Sequence, residues 1–241
     1  SSQESFIVTD SKGTLRRQVG GILERRGFQL LELDFTDLLH SPWGYNPLRF
    51  IRYDMERECW NEQDIITVAA ALVPVEDKTQ PFWEYAARNL LEVLIGYTLE
   101  CLPAEEHDLT SVVRLFAEAE TGVLDELMRE LCTIDPGGFV AMRWKGIQTC
   151  RRADKMYGSI LGILAQKISN FSFSGARELF TNSNQIDFAS ISQEPTAVFL
   201  HVSDSDYSLA NLTSLFYTQA LQALIAEADK QPDNRLQIPV R

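Results

Sequence analysis

Cysteine and histidine are scarce in this sequence. Its 241 residues hold four cysteines, Cys59, Cys101, Cys132 and Cys150, with no CxxC pair. That excludes a zinc ribbon or a thioredoxin-like redox site, and it is too sparse for a secreted disulfide scaffold. A reducing, cytosolic compartment is therefore expected. The three histidines, His40, His107 and His201, form no HExxH, so neither a histidine-rich metal site nor a Ser-His-Asp or Cys-His arrangement is legible. Long apolar runs are missing too. The most apolar helical stretch, Leu90–Leu102, contains Glu92 and Glu100 and is too short to span a bilayer. The opening Ser1-Ser2-Gln3-Glu4-Ser5 has neither the basic nor the apolar part of a signal peptide, so the chain is expected to be soluble as given. There is no GxxxxGK[ST], so no phosphate-cradling P-loop lies within it.

Positive charge is also in deficit. There are 22 Lys and Arg against 34 Asp and Glu, for a net charge of −12 and a pI near 4.7. A whole-surface nucleic-acid binder is normally basic. The total hides a pattern, however. Residues 1–50 are neutral, residues 51–138 carry 6 basic and 19 acidic side chains, residues 139–186 carry 7 and 2, and residues 187–241 carry 3 and 7. A strongly acidic block is followed by a basic one.

What is present is an alternation of periods. Phe6-Ile7-Val8-Thr9-Asp10 is an apolar, β-branched run that ends in a carboxylate and the turn Ser11-Lys12-Gly13. Thr14–Arg26 places Leu15, Val19, Ile22 and Leu23 at helical spacing, and Gly27 stops it. Gln29–Asp34 reads as a second strand, so a direct parallel pair joined by a right-handed crossover is expected. Residues 40–48 are irregular, broken by Pro42, Gly44, Asn46 and Pro47. From Arg52 to Lys167 the periodicity predicts helix after helix and no strand. Thr110 and Thr121 are the expected caps of two of these helices. Phe82, Trp83 and Tyr85 fall on an apolar stripe and are expected in the core rather than on a base-stacking surface. Strand character returns at Thr196–Val202, a helix follows through Leu209–Ile225, and Ile238-Pro239-Val240 opens one more strand. The domain reading is an α/β part over 1–50, an all-α domain over 51–186, and a second α/β part over 187–241.

Several groups could carry chemistry. Asp10, Asp34, and Asp204 with Asp206 all follow predicted strands. Ligands bind at the carboxyl ends of parallel strands, and carboxylates there suit Mg²⁺-nucleotide chemistry. The alternative is that these are turn and capping aspartates. Lys12 could meet a phosphate, or be a solvated turn lysine. Gly158 and Gly162 have GxxxG spacing, read as close helix packing in a soluble domain. Arg143, Lys145, Arg151, Arg152 and Lys155 form the basic block. It could contact DNA phosphates or an acidic partner, or it could pair with the acidic block upstream in the same domain.

Together these segments resemble the type IV coupling proteins, the TraG-like conjugative DNA-transfer ATPases. Phe6–Gly13 is similar to their strand followed by Asp-Pro-Lys-Gly-Glu, with Ser11 in place of the Pro and Thr14 in place of the Glu. Tyr45-Asn46-Pro47-Leu48 looks like their Tyr-Asn-Pro-Leu motif. Pro81–Leu91 resembles the first long helix of their all-alpha domain, and Ala197–Asp206 with Leu215–Gln219 resembles a later strand and the helix after it. The resemblance covers essentially the whole chain. It implies a partial RecA-like, P-loop-NTPase-type parallel sheet interrupted by an all-alpha domain. It also implies that the Walker A and Walker B motifs lie outside this chain, which would then be an inactive central fragment. The parent protein would use ATP and Mg²⁺, assemble as a homo-hexamer, carry a membrane anchor, and sit at the cytoplasmic face of the bacterial inner membrane. There it would link relaxase-bound DNA and relaxosome proteins to secretion-channel components. Asp10, Lys12, Gly13 and Asp204 are the expected nucleotide-side residues, and Arg143, Lys145, Arg151, Arg152 and Lys155 the partner-contact candidates. The competing reading is a helical protein-interaction module on an α/β scaffold with no motor role.

Overall fold

A computed structural model describes residues 4–151 and 154–241 of the chain. The first elements are β1 (Phe6–Thr9), α1 (Thr14–Arg25), β2 (Gln29–Asp34) and a two-residue hairpin of β3 (Tyr53–Asp54) and β4 (Cys59–Trp60). Then come α2 (Glu62–Leu72), α3 (Phe82–Cys101), α4 (Leu109–Ala117), α5 (Val123–Ile134), α6 (Phe139–Arg151), α7 (Asp154–Ile168) and α8 (Ser174–Thr181). The chain closes with β5 (Thr196–His201) and α9 (Ala210–Asp229). It divides into two compact units, residues 1–46 with 174–241, and residues 47–173.

In the first unit the sheet order is β1-β5-β2, all parallel. This corrects the expected direct pairing of β1 with β2. The reason is burial: Thr196–Leu200 of β5 are fully buried, whereas β1 is at least partly exposed throughout and β2 alternates buried with partly exposed positions. A strand apolar on both faces belongs in the middle of a parallel sheet. Beyond β1, the expected last strand begins. Ser5 N donates to Pro239 O at 2.9 Å and Ile7 N to Arg241 O at 2.8 Å, in parallel register with Ser5 opposite Val240. Beneath the sheet end, Phe35, Tyr45, Phe188 and Phe216 form an aromatic cluster with ring centroids 5.0–6.4 Å apart. The Tyr45 hydroxyl donates to Gln219 Oε1 at 2.6 Å in a buried pair.

Residues 174–186 belong to this α/β unit, not to the helical part where the sequence reading ended it at 186. The side-chain amide of Gln185 donates to the carbonyls of Leu179, Phe180 and Asn182, closing the end of α8. Gly44 N donates to Asn184 O and Ile186 N to Gly44 O, tying that closed end to the irregular segment after β2.

The second unit is organised around α3, which packs against α2, α4, α6 and α7. Its side chains are buried almost continuously from Leu90 to Leu99. Gly96 permits the closest approach, because a Cβ there would lie 2.6 Å from Val140 of α6. Three local expectations are corrected. The hairpin of β3 and β4 interrupts the helices, with Asp54 Oδ1 accepting from the amides of Glu56 and Arg57 in its turn. Asp108, rather than Thr110, caps α4, accepting from Ser111 N at 2.9 Å. Phe82 and Tyr85 are 48% and 51% exposed, because Glu84, Ala86 and Ala87 take the inward positions of the first turns of α3.

Candidate functional site

The carboxyl ends of β1, β5 and β2 finish level, since Thr9 and Leu33 both stand opposite Leu200. Parallel strands that end together open a crevice for ligands. Here it is a cavity of about 380 Å³ lined by Ser11, Lys12, Gly13, Arg16, Arg17, Glu32, Asp34, Thr36 and His201.

Each predicted residue has a definite place at this edge. Asp10 is buried, and its Oδ2 accepts from Arg16 N at 2.8 Å. Burial pushes its carboxyl up, but the amides of Arg16 and Leu15, the nearby His201 and the amide of Lys12 together hold it below the usual range. It thus satisfies amides at the start of α1 that have no helical acceptor. Gly13 adopts φ +60°, and a Cβ there would sit 3.1 Å from His201 Cε1. Only glycine takes that conformation without strain. Asp34 Oδ1 accepts from the Thr36 amide and hydroxyl and from Asp37 N, a self-contained turn. Lys12 is exposed, and its ammonium has no partner among the described residues. Asp204 is exposed in the segment after β5.

Behind Lys12 runs an ion-pair row that no motif announces. Glu32 stands between His201 Nε2 and Arg16 Nε, each 3.3 Å from one of its oxygens and neither in hydrogen-bond alignment. Arg16 also reaches Glu24 at 3.7 Å, and Arg17 Nη2 donates to Lys12 O at 3.3 Å. The free positive charge at the cavity is therefore that of Lys12 and Arg17. With Asp10 and Asp34 committed to backbone amides, and no three-residue His, Cys, Asp or Glu cluster among the described residues, the cavity suits an anion rather than Mg²⁺. Periodicity could not reveal this row, because Glu32 and His201 lie on strands that only the sheet order makes neighbours.

A second cavity, of about 360 Å³, adjoins the first through Thr36. Phe35, Ser203, Asp206, Tyr207, Ser208, Leu209 and Thr213 are among its lining residues. Asp206 Oδ1 accepts from Ser208 N at 2.9 Å, and the bonds from the Ser208 amide and hydroxyl hold its carboxyl below the usual range. An aromatic in the polar segment Ser203–Ser208 was the one sequence signal for this cavity.

In the helical unit most of the basic block is engaged within the chain. Arg143 Nε lies 2.9 Å from Glu92 Oε2, whose side chain is 3% exposed, and the guanidinium stacks on Phe139. Arg151 pairs with Asp125 and lies over Tyr157 and Trp144. Lys145 Nζ donates to Pro136 O at 2.8 Å. Lys155 is exposed, and Arg152 lies outside the described residues. No helix among the described residues is long and apolar enough to cross a membrane.

Comparison with known proteins accounts for this architecture. Solved conjugative coupling proteins share the fold. The unbound bacterial conjugative coupling protein TrwBdeltaN70 is 13% identical with a TM-score of 0.52, over 92% of this chain and 51% of that one. The plasmid coupling protein TrwB in complex with ADP and Mg²⁺ is 14% identical with a TM-score of 0.52, over 92% of this chain and 53% of that one. TrwB with the ATP analogue ADPNP is 16% identical with a TM-score of 0.52, over 98% and 56%. The chain thus spans about half the length of the solved proteins it matches. No curated protein matches it. The family profile for type IV secretory system conjugative DNA transfer matches residues 1–240. With that match across both the parallel sheet and the inserted helices, the chain belongs to the type IV secretory conjugative DNA-transfer family of coupling proteins.

Proposed function

We propose that this chain is the central part of an ATP-driven coupling protein that recruits relaxase-bound DNA and moves it toward a secretion channel. The observation that carries this reading is the family match over residues 1–240. A related protein solved with ADP and Mg²⁺ supports a nucleotide as the ligand of the longer protein. In this reading the sheet edge at Asp10–Gly13 and Asp204 faces nucleotide. Lys12 supplies charge to a phosphate, while Asp10 and Gly13 hold the turn that presents it. Without a GxxxxGK[ST] the chain by itself does not turn over ATP; the longer protein supplies that loop, binds Mg²⁺, assembles as a hexamer and is anchored at the cytoplasmic face of the inner membrane. The test is phosphate release from ATP. The isolated chain is expected to show background rates only. A longer protein with the flanking sequence is expected to turn over, and to lose rate when Lys12 is changed to Ala. Turnover by the isolated chain defeats the reading.

A second role falls to the helical unit as a receptor for relaxosome proteins. Its residues 47–173 hold 13 basic and 20 acidic side chains, and Arg143 and Arg151 are already paired inside it. The excess charge is therefore acidic and suited to a basic partner. Capture of the cognate relaxase at low salt, where screening is weakest, is the expected result, and no capture refutes it.

A further inference from the structure

The two cavities at the sheet edge differ in chemistry and share one wall. The first offers the ammonium of Lys12 and the guanidinium of Arg17, while its other charges are spoken for. Arg16 and His201 face Glu32, and Asp34 caps its own turn. The second offers ring and hydroxyl groups. Tyr207 is 75% exposed, and its hydroxyl donates to Asp204 O at 3.2 Å, which fixes the ring at the mouth. Phe35 lines the same cavity and is buried, braced by Tyr45 and Phe216 behind it. Hydroxyls of Thr36, Ser203 and Thr213 complete the lining. Asp206 is a carboxylate in this second cavity, so it repels a phosphate there and directs it toward Lys12.

A flat apolar slot with hydroxyls beside a cationic slot fits a ligand that carries a ring at one end and an anion at the other. We propose that the paired cavities seat one nucleobase–phosphate unit, with the base on Tyr207 against Phe35 and the phosphate on Lys12 and Arg17. The inference deepens the nucleotide-handling reading of the sheet edge and rests on it. Tyr207, Phe35, Thr36 and Arg17 are added to that edge as ligand contacts. A base–phosphate unit is offered by a mononucleotide and by a single DNA strand alike. Stacking on an aromatic side chain tolerates any base.

The experiment is fluorescence anisotropy on the whole 241-residue chain with labelled oligothymidylate, an abasic oligonucleotide of equal length, and ADP as competitor. Tyr207→Ala is expected to weaken oligothymidylate roughly tenfold or more and to leave the abasic strand within about twofold. Lys12→Glu is expected to weaken both. Both side chains are exposed, and circular dichroism checks that each variant folds. If ADP displaces the oligonucleotide, the site accepts mononucleotides; if it does not, the site is for a strand; either supports the proposal. Unchanged oligothymidylate binding by Tyr207→Ala overturns it. So does abasic binding as tight as oligothymidylate, unchanged binding by Lys12→Glu, or binding of none of the probes. Phosphate release by the longer protein is a separate readout, so the motor reading can stand when this seat fails.

Discussion

Changing Arg143 to Ala separates a core ion pair from a partner contact. Arg143 belongs to the basic block, yet its guanidinium lies 2.9 Å from the buried carboxylate of Glu92. Burial pushes the Glu92 carboxyl above its ordinary value of 4.5, and Arg143 first, then Arg88, pull it back. Removing one partner of a buried pair costs about 3–5 kcal/mol, because the other charge is stranded. The Arg143 side chain is 36% exposed, so water screens part of the attraction, and a loss of roughly 2–3 kcal/mol is expected. The pH dependence has a definite sign. A carboxyl whose folded pKa is raised binds its proton more tightly in the native state, so stability falls as pH rises above the unfolded value. Without Arg143 that rise is larger, so the deficit of the variant grows as pH climbs from the ordinary carboxyl value of 4.5 through the raised native one. The assay is urea denaturation followed by tryptophan fluorescence, with Trp144 next in sequence and buried as reporter. Lys155→Ala, on the exposed side of α7, is the control and should stay within about 0.5 kcal/mol. A similarly small effect for Arg143→Ala, with no pH dependence, would refute the reasoning and return Arg143 to the free surface.

Three further outcomes are expected. Gly13→Ala should lower stability by about 1–2 kcal/mol in thermal melts, because the new Cβ adds left-handed strain and crowds His201. Asp10→Ala should cost about 1 kcal/mol at neutral pH through the lost helix cap. Since the Asp10 carboxyl is held below its ordinary value of 3.8, its contribution is present above that value and lost as pH falls through the folded pKa. The gap between variant and parent should therefore close in acid, and a constant gap would rule out the capping role. Tyr45→Phe should cost about 1 kcal/mol by removing the buried hydroxyl bond to Gln219, and calorimetry is the check.

Much of the fold was legible because period changes are strong in this sequence. Val8 and Leu31 lie in short β runs, Leu90–Leu99 in a long helical stripe, and Pro239-Val240 in a strand opening, and each stands where its pattern points. The strand order was not legible. Local periodicity says that Thr196–Leu200 is apolar on both faces, but the decision to place it between β1 and β2 is tertiary. The sequence reading ended the helical part too late for a similar reason. α8 looks like any other short helix, and only the bonds of Gln185 and Gly44 assign it to the sheet unit. Phe82 and Tyr85 mislead because an apolar stripe does not say which helix end is covered. At the site, Lys12 and Gly13 could be picked out by type, but the use of the Asp10 carboxylate on amides could not. Neither could the link from Glu32 to His201, whose positions are 169 apart in the chain. Charge gave the opposite lesson. The basic block stands out in the sequence, yet Arg143 and Arg151 spend their charge on Glu92 and Asp125 inside the helical unit.

DNA-stimulated phosphate release tests the central claim most directly. Measured on the longer protein, with the isolated chain alongside, it should give turnover that rises with added DNA in the former and background in the latter. ATP turnover by the isolated chain, or a longer protein whose rate ignores both DNA and the Lys12→Ala change, would contradict a motor role for this sheet edge.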